Sequence, residues 1–155
     1  WRQVTDDVRH QRTVAVNARE LASEIQHLMQ LVRPEVAINW HIEAQLDSLK
    51  VNADRTLLPA LSNVIVNACD AQKRVNDEPV SVSFSHKNDT VAIEIHNAGH
   101  TENLEQLGQR LLPSSKGHGA GAIISNATLE KFGGRLRWEH VNHEVITWIT
   151  LPSSS

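Results

Sequence analysis

Three stretches carry residue types that could do chemistry. The first is Ser114-Ser115-Lys116-Gly117-His118-Gly119-Ala120-Gly121. Its three glycines, at alternate positions, let the backbone approach a ligand closely. A helical pattern follows, and a helix N-terminus offers free N–H groups and a positive dipole end. Lys116 and the two serines add a cation and hydroxyl donors, which makes this a phosphate-cradling composition. It is not a P-loop, which needs Gly-Lys-Ser/Thr at the required spacing. Nor is it a dinucleotide fingerprint, because a loop rather than a strand precedes it. The plainer alternative is a glycine hinge.

The second stretch is Asn63-Val64-Ile65-Val66-Asn67-Ala68-Cys69-Asp70-Ala71. Asn63 and Asn67 are four apart and stack on one face of a helix, with Asp70 and Ala71 continuing that face. Leu57, Leu61, Val64, Ile65 and Ala68 form the apolar side. Carboxamides beside an apolar stripe need partners, and a ligand or metal ion could supply them; otherwise they meet solvent or cap neighbouring backbone. The third stretch, His96-Asn97-Ala98-Gly99-His100, ends an alternating strand. A polar side chain there can point into a pocket, or the segment is a simple strand-to-loop transition. His96, His100, His140 and His143 invite a zinc reading, but no cysteine or carboxylate stands at matching spacing. Ser114 and Ser115 near His118 lack a nucleophile elbow and an orienting acid. His10, in a polar stretch, reads as a surface side chain.

Elements must hold these stretches in place. Residues 1–12 are polar and read as a linker or the end of an upstream helix. Thr13 to Val16 is β-prone. Leu21, Ile25, Leu28, Met29 and Val32 recur at helical spacing, with Asn17 as N-cap and Pro34 as stop. Strands are expected over Val36 to Ile42 and Ser48 to Ala53. The central helix runs from an Asp54 N-cap to about Val75, although Pro59 implies a later start or a distorted first turn. Val80 to His86 and Val91 to Ile95 form a hairpin around a turn at Lys87 to Thr90. Residues 97–118 form a long loop, of a length that is usually functional, with a short helix possible over Leu104 to Leu112. Ala122 to Phe132 reads as a helix ended by Gly133-Gly134. Arg135 to Glu139 and Val145 to Leu151 make the last hairpin, and residues 152–155 a disordered tail. Antiparallel strand pairs separated by helices predict an α+β, two-layer sandwich: a mixed, mostly antiparallel sheet covered on one face by about three helices.

Composition narrows the function classes. A chain of 155 residues, 40% apolar and 21% charged, suits one soluble domain. Its net charge of −3, with no Lys/Arg run, argues against nucleic acid or an anionic membrane as partner. The single cysteine, Cys69, excludes an internal disulfide framework and reads as a small buried hydrophobe. No apolar run approaches the ~20 residues of a membrane span, and there is no signal-peptide pattern. A start at Trp1 is expected of a piece of a longer protein, whose anchor would lie elsewhere.

In this order and spacing the three stretches resemble the ATP-binding catalytic domain of sensor histidine kinases, within the Bergerat-fold GHKL superfamily. Asn63 to Ala71 resembles the N box, Asn97 and Gly99 a degenerate first glycine box, and Ser114 to Gly121 the second glycine box. Phe132-Gly133-Gly134-Arg135-Leu136 matches the helix end and strand that follow. The resemblance covers residues 13–151. Departures are the missing Asp at Asn97, Thr101 at a glycine position, Leu111 and Leu112 where relatives carry phenylalanines, and Gly-Ala-Gly-Ala in the second glycine box. No His-Glu/Asp-x-x-x-Pro box is present.

The resemblance implies a set of roles. The cofactors would be ATP and Mg²⁺. Asn63 and Asn67 would ligate the metal, with Asn67 also contacting phosphate, a donor set suited to a hard ion that keeps several waters. Asn97 would hold the adenine amino group and Gly99 would let the backbone pass the base. Asp70, Ser115, Lys116, Gly117, His118, Gly119, Ala120 and Gly121 would complete the nucleotide site, with residues 100–118 as a mobile lid. Asn63 and Lys116 would act at the γ-phosphate. The expected partners are an upstream dimerisation and phosphoacceptor domain, a response-regulator receiver domain and a second copy in the full-length protein; the expected place is the cytoplasm. Two other readings are a degenerate module acting through protein contacts and an anti-sigma-type serine kinase.

Overall fold

The computed structural model describes residues 13–99 and 126–155. The first described elements are strand β1 (Val14–Asn17) and helix α1 (Ala18–Val32). Asn17 starts the helix as expected: its Oδ1 accepts from the backbone N–H of Arg19 and Glu20 at 2.9 and 3.1 Å. Its Nδ2 also donates to the Asp47 carbonyl. Leu21, Ala22, Ile25 and Met29 form the buried face of α1.

Strand β2 (Ile38–Ile42) follows, two residues shorter at its start than the apolar alternation predicts. A 3₁₀ turn (Ala44–Ser48), which the sequence reading missed, buries Leu46 before β3 (Lys50–Ala53). Helix α2 spans Leu57–Val75. It starts later than an Asp54 cap would allow, and this resolves the awkward Pro59. As the third residue of the helix, Pro59 falls among the first four positions, whose N–H groups have no intrahelical acceptor. Asp54 instead closes the turn ahead of the helix, its Oδ1 accepting from Thr56 N at 2.7 Å.

Strands β4 (Val80–Lys87) and β5 (Thr90–Ala98) form the expected hairpin, with Asn88 at φ 54 in the turn. Residues 126–131 are helical and form the described part of α3. Its end is a Schellman motif: Gly134 N donates to Leu129 O and Gly133 N to Glu130 O, with Gly133 at φ 78. A Cβ on Gly134 would stand 2.5 Å from the Thr150 carbonyl oxygen, so only glycine lets the chain pass the sheet here. Strands β6 (Arg135–Val141) and β7 (Glu144–Ser154) complete the chain. The expected disordered tail is corrected: Pro152 to Ser154 belong to β7, where Ser153 and Ser154 pair with β3 and Pro152 with β5.

The described strands make one seven-stranded sheet in the order β1-β3-β7-β5-β4-β2, with β6 beside the first part of β7. β2 pairs with β4 in parallel and every other pair is antiparallel. Alternation puts Val80, Val82 and Phe84 of β4, Val91, Ile93 and Ile95 of β5, and Ile149 and Leu151 of β7 on one face. They pack there with the apolar sides of α1 and α2 and with Leu129 of α3. The fold is thus the α+β two-layer sandwich expected, with the three described helices on one face of a mixed sheet. No described helix is long and apolar enough to cross a membrane.

Candidate functional site

Helix α2 presents three of the anticipated residues and treats them differently. Asn63 is exposed and Asn67 half-buried. Neither side chain has a hydrogen-bond partner among the described residues, so their carboxamide oxygens are free to serve a ligand or a hard cation. Asp70 is already engaged. Arg33, the C-cap of α1, places Nε 2.9 Å from its Oδ1 and Nη2 3.3 Å from its Oδ2. This forked pair ties α1 to α2 and raises the Arg33 pKa, chiefly through the hydrogen bond to Asp70. Of the polar side chains on this face, Asp70 is the one the fold itself uses.

Asn97 lies on β5 in phase with Val91, Ile93 and Ile95, so its side chain points to the helix-covered face, where it is buried. Its Nδ2 donates to the Ala98 carbonyl at 2.8 Å. A carbonyl can only accept, so this bond fixes the amide orientation and leaves Oδ1 as an open acceptor. That orientation is the one needed to receive an amino group. Gly99 follows, buried, with its N–H donated to His143 O. A Cβ there would meet Val145 Cγ2 at 3.0 Å, a tight contact, and touch the Asn97 amide nitrogen at an ordinary 3.5 Å, so glycine spares Val145 a displacement.

The last turn of α2 reaches the same corner. Gln72, buried, accepts from Ala98 N at 2.7 Å through Oε1. Gln72, Asn97, Ala98, Ser81, Asn142 and Glu144 are among the residues lining a polar cavity of about 450 Å³ at this end of the sheet. From Gln72 back to Asn63 the helix axis rises about 13.5 Å at about 1.5 Å per residue. The other anticipated residues (Ser115, Lys116, Gly117, His118, Gly119, Ala120 and Gly121) lie outside the described residues, as do the expected lid, the short helix over 104–112 and His10.

On the opposite face of the sheet, back to back with Asn97, His96 is clamped between two carboxylates. Its Nε2 is 2.8 Å from Glu94 Oε1 and its Nδ1 is hydrogen-bonded to Glu144 Oε1. Partial burial pulls its pKa down, but the bonds to Glu144 and Glu94 outweigh that and raise it. Sequence spacing missed this cluster because Glu144 comes from the neighbouring strand. No group of three or more His, Cys, Asp or Glu side chains suited to a metal ion occurs among the described residues. Cys69 is wholly buried on α2, and burial followed by the nearby Asp70 charge pushes its thiol up to about 12.

The profile of the Histidine kinase-, DNA gyrase B-, and HSP90-like ATPase family matches residues 52–155, and the chain belongs to that family. Solved structures agree in fold. The catalytic domain of histidine kinase ThkA is 21% identical, with a TM-score of 0.72 over 91% of this chain and 95% of that one. The mycobacterial sensor histidine kinase MprB is 19% identical, with a TM-score of 0.73 over 92% and 98%. The Acinetobacter baumannii histidine kinase AdeS is 12% identical, with a TM-score of 0.63 over 91% of this chain and 67% of that one. No curated protein sequence matches the chain.

Proposed function

We propose that this domain binds Mg-ATP and donates the γ-phosphate to a histidine on a dimerisation domain, for relay to the receiver domain of a response regulator. The observation that carries the reading is the unpartnered Oδ1 of the buried Asn97, at the end of β5 beside the last turn of α2, turned so that it can accept from the adenine amino group. Family membership and the free carboxamides of Asn63 and Asn67 support it.

In this reading Asn97 holds the base, and Gly99 lets the backbone pass it. Asn67 and Asn63 hold Mg²⁺ through their carboxamide oxygens, and the ion supplies charge neutralisation at the phosphates. Lys116 and the glycine-rich run from Gly117 to Gly121 would contact the phosphates, the role that the family resemblance gives them. The acceptor histidine and the second copy belong to a dimeric full-length protein working in the cytoplasm.

Calorimetry with a non-hydrolysable ATP analogue and Mg²⁺ tests the reading. The wild-type chain is expected to bind, and Asn67→Ala to lose Mg²⁺-dependent binding while melting as wild type does. In the full-length protein Asn67→Ala is expected to abolish autophosphorylation. Absence of wild-type binding at millimolar nucleotide would overturn the proposal in favour of a module acting through protein contacts.

A further inference from the structure

An asparagine at the base-reading position raises a problem that a carboxylate would not. Both carboxylate oxygens accept, so either orientation serves. A carboxamide presents an acceptor or a donor depending on which way it is turned. Turned one way, Asn97 receives the amino group of adenine; turned the other, it donates to the carbonyl that guanine carries at the same ring position. Base selectivity therefore depends on what holds the amide.

Two side-chain amides, Asn76 and Gln72, lead to it through the Ala98 backbone. Glu78 N–H donates to Asn76 Oδ1 at 2.9 Å, so that atom is an oxygen and the Gln72 atom 2.5 Å from it is the nitrogen Nε2. The other end of Gln72 must then be Oε1, and it meets Ala98 N–H, which can only donate, at 2.7 Å. The Ala98 carbonyl accepts from Asn97 Nδ2 at 2.8 Å, leaving Asn97 Oδ1 open. Backbone groups of fixed character therefore set the direction of every bond from Asn76 to Asn97.

Gln72 occupies the decisive place because the sheet ends there. The β4–β5 register pairs Ser81 with His96, and extending it would put Ala98 opposite Pro79, outside β4. The Ala98 N–H has no ladder acceptor on that side, and Gln72 Oε1 takes its place. It thereby holds the Asn97–Ala98 peptide, one unit before the Ala98–Gly99 peptide whose carbonyl accepts from Asn97 Nδ2, so Ala98 is anchored from Gln72 on its N–H side and meets Asn97 on its carbonyl side.

We propose that Gln72, positioned by Asn76, is a specificity-determining positioning residue that locks the Asn97 amide as an acceptor and makes the site select adenine over guanine nucleotides. The inference rests on the reading of Asn97 as the base-recognition residue.

The test is the ratio of ATP-analogue to GTP-analogue affinity, measured by calorimetry with Mg²⁺ on the whole chain. The wild type is expected to prefer ATP by about tenfold or more, the scale of one well-made hydrogen bond against a misdirected one. Gln72→Met, of similar volume and without polar atoms, should reduce that ratio by about fivefold or more. Asn76→Ala, at an exposed position that leaves the interior intact, should reduce it in the same direction by a smaller factor. In an Asn97→Asp background, where both oxygens accept, Gln72→Met should leave the ratio unchanged; a merely structural role would move it equally in both backgrounds. An unchanged ratio in both Gln72→Met and Asn76→Ala, or the same fall with Asp at position 97, would overturn the role of Gln72 while leaving ATP binding intact. Loss of all nucleotide binding by the wild type would instead overturn the base-reading assignment on which it stands.

Discussion

Arg33 and Asp70 form a two-pronged ion pair, Nε to Oδ1 at 2.9 Å and Nη2 to Oδ2 at 3.3 Å, between the end of α1 and the middle of α2. Both side chains are partly exposed, at 32% and 23%, so solvent screens the pair. Asp70→Asn is expected to destabilise the domain by about 0.5–1 kcal/mol, read as a shift in urea midpoint. Because Arg33 occupies both oxygens, nucleotide affinity should change by less than about twofold, within the range of a surface substitution. A loss of affinity comparable to that of Asn67→Ala would return Asp70 to the ligand site.

His96 gives a pH dependence of known sign. Its folded-state pKa is raised by Glu144 and Glu94. The clamp's contribution is therefore fully present below the unfolded value of about 6.5 and is lost as pH rises through the raised folded value. The difference in melting temperature between wild type and His96→Gln should be largest at mildly acid pH and shrink toward pH 8. A difference that stays flat or grows over that range would contradict the clamp.

The two glycines after α3 should respond unequally. Gly133→Ala places a side chain at φ 78, costing about 1–2 kcal/mol. Gly134→Ala drives a Cβ to within 2.5 Å of the Thr150 carbonyl, a clash with backbone that cannot swing aside, and should cost more. Chemical denaturation of the pair would rank them, and equal costs would contradict the close approach.

Cys69 is buried and its thiol is pushed up to about 12. At pH 8 a disulfide reagent such as an aromatic disulfide should label it only on unfolding, so the labelling rate should rise with denaturant in step with loss of structure. Rapid labelling of the native chain would show that α2 packs less tightly against the sheet.

Much of the local structure follows from neighbours in sequence. Asn17 caps α1 because its own side chain reaches two N–H groups within three residues. The Gly133-Gly134 stop needs only a positive φ and a close approach. Val80 to Phe84 and Val91 to Ile95 alternate with the period of a half-buried strand, so the hairpin and its buried face were legible. The asparagine spacing on α2 and the strand-end position of Asn97 were legible for the same reason, since helix and strand periods act over a few residues.

What the tertiary structure decided depends on residues far apart in the chain. Nothing near β2 says that it lies parallel to β4, and nothing near Ser154 says that it pairs with Lys50. Arg33 claims Asp70 from 37 positions away, Glu144 reaches His96 across a strand, and Gln72 finds Ala98 where β4 runs out. Hydrogen-bond direction in a buried amide is set by whichever groups the fold brings against it. For that reason the sequence by itself could place Asn97 at a strand end, while only the packed α2–β5 corner determined which of its two amide atoms is bonded and which is left as an acceptor.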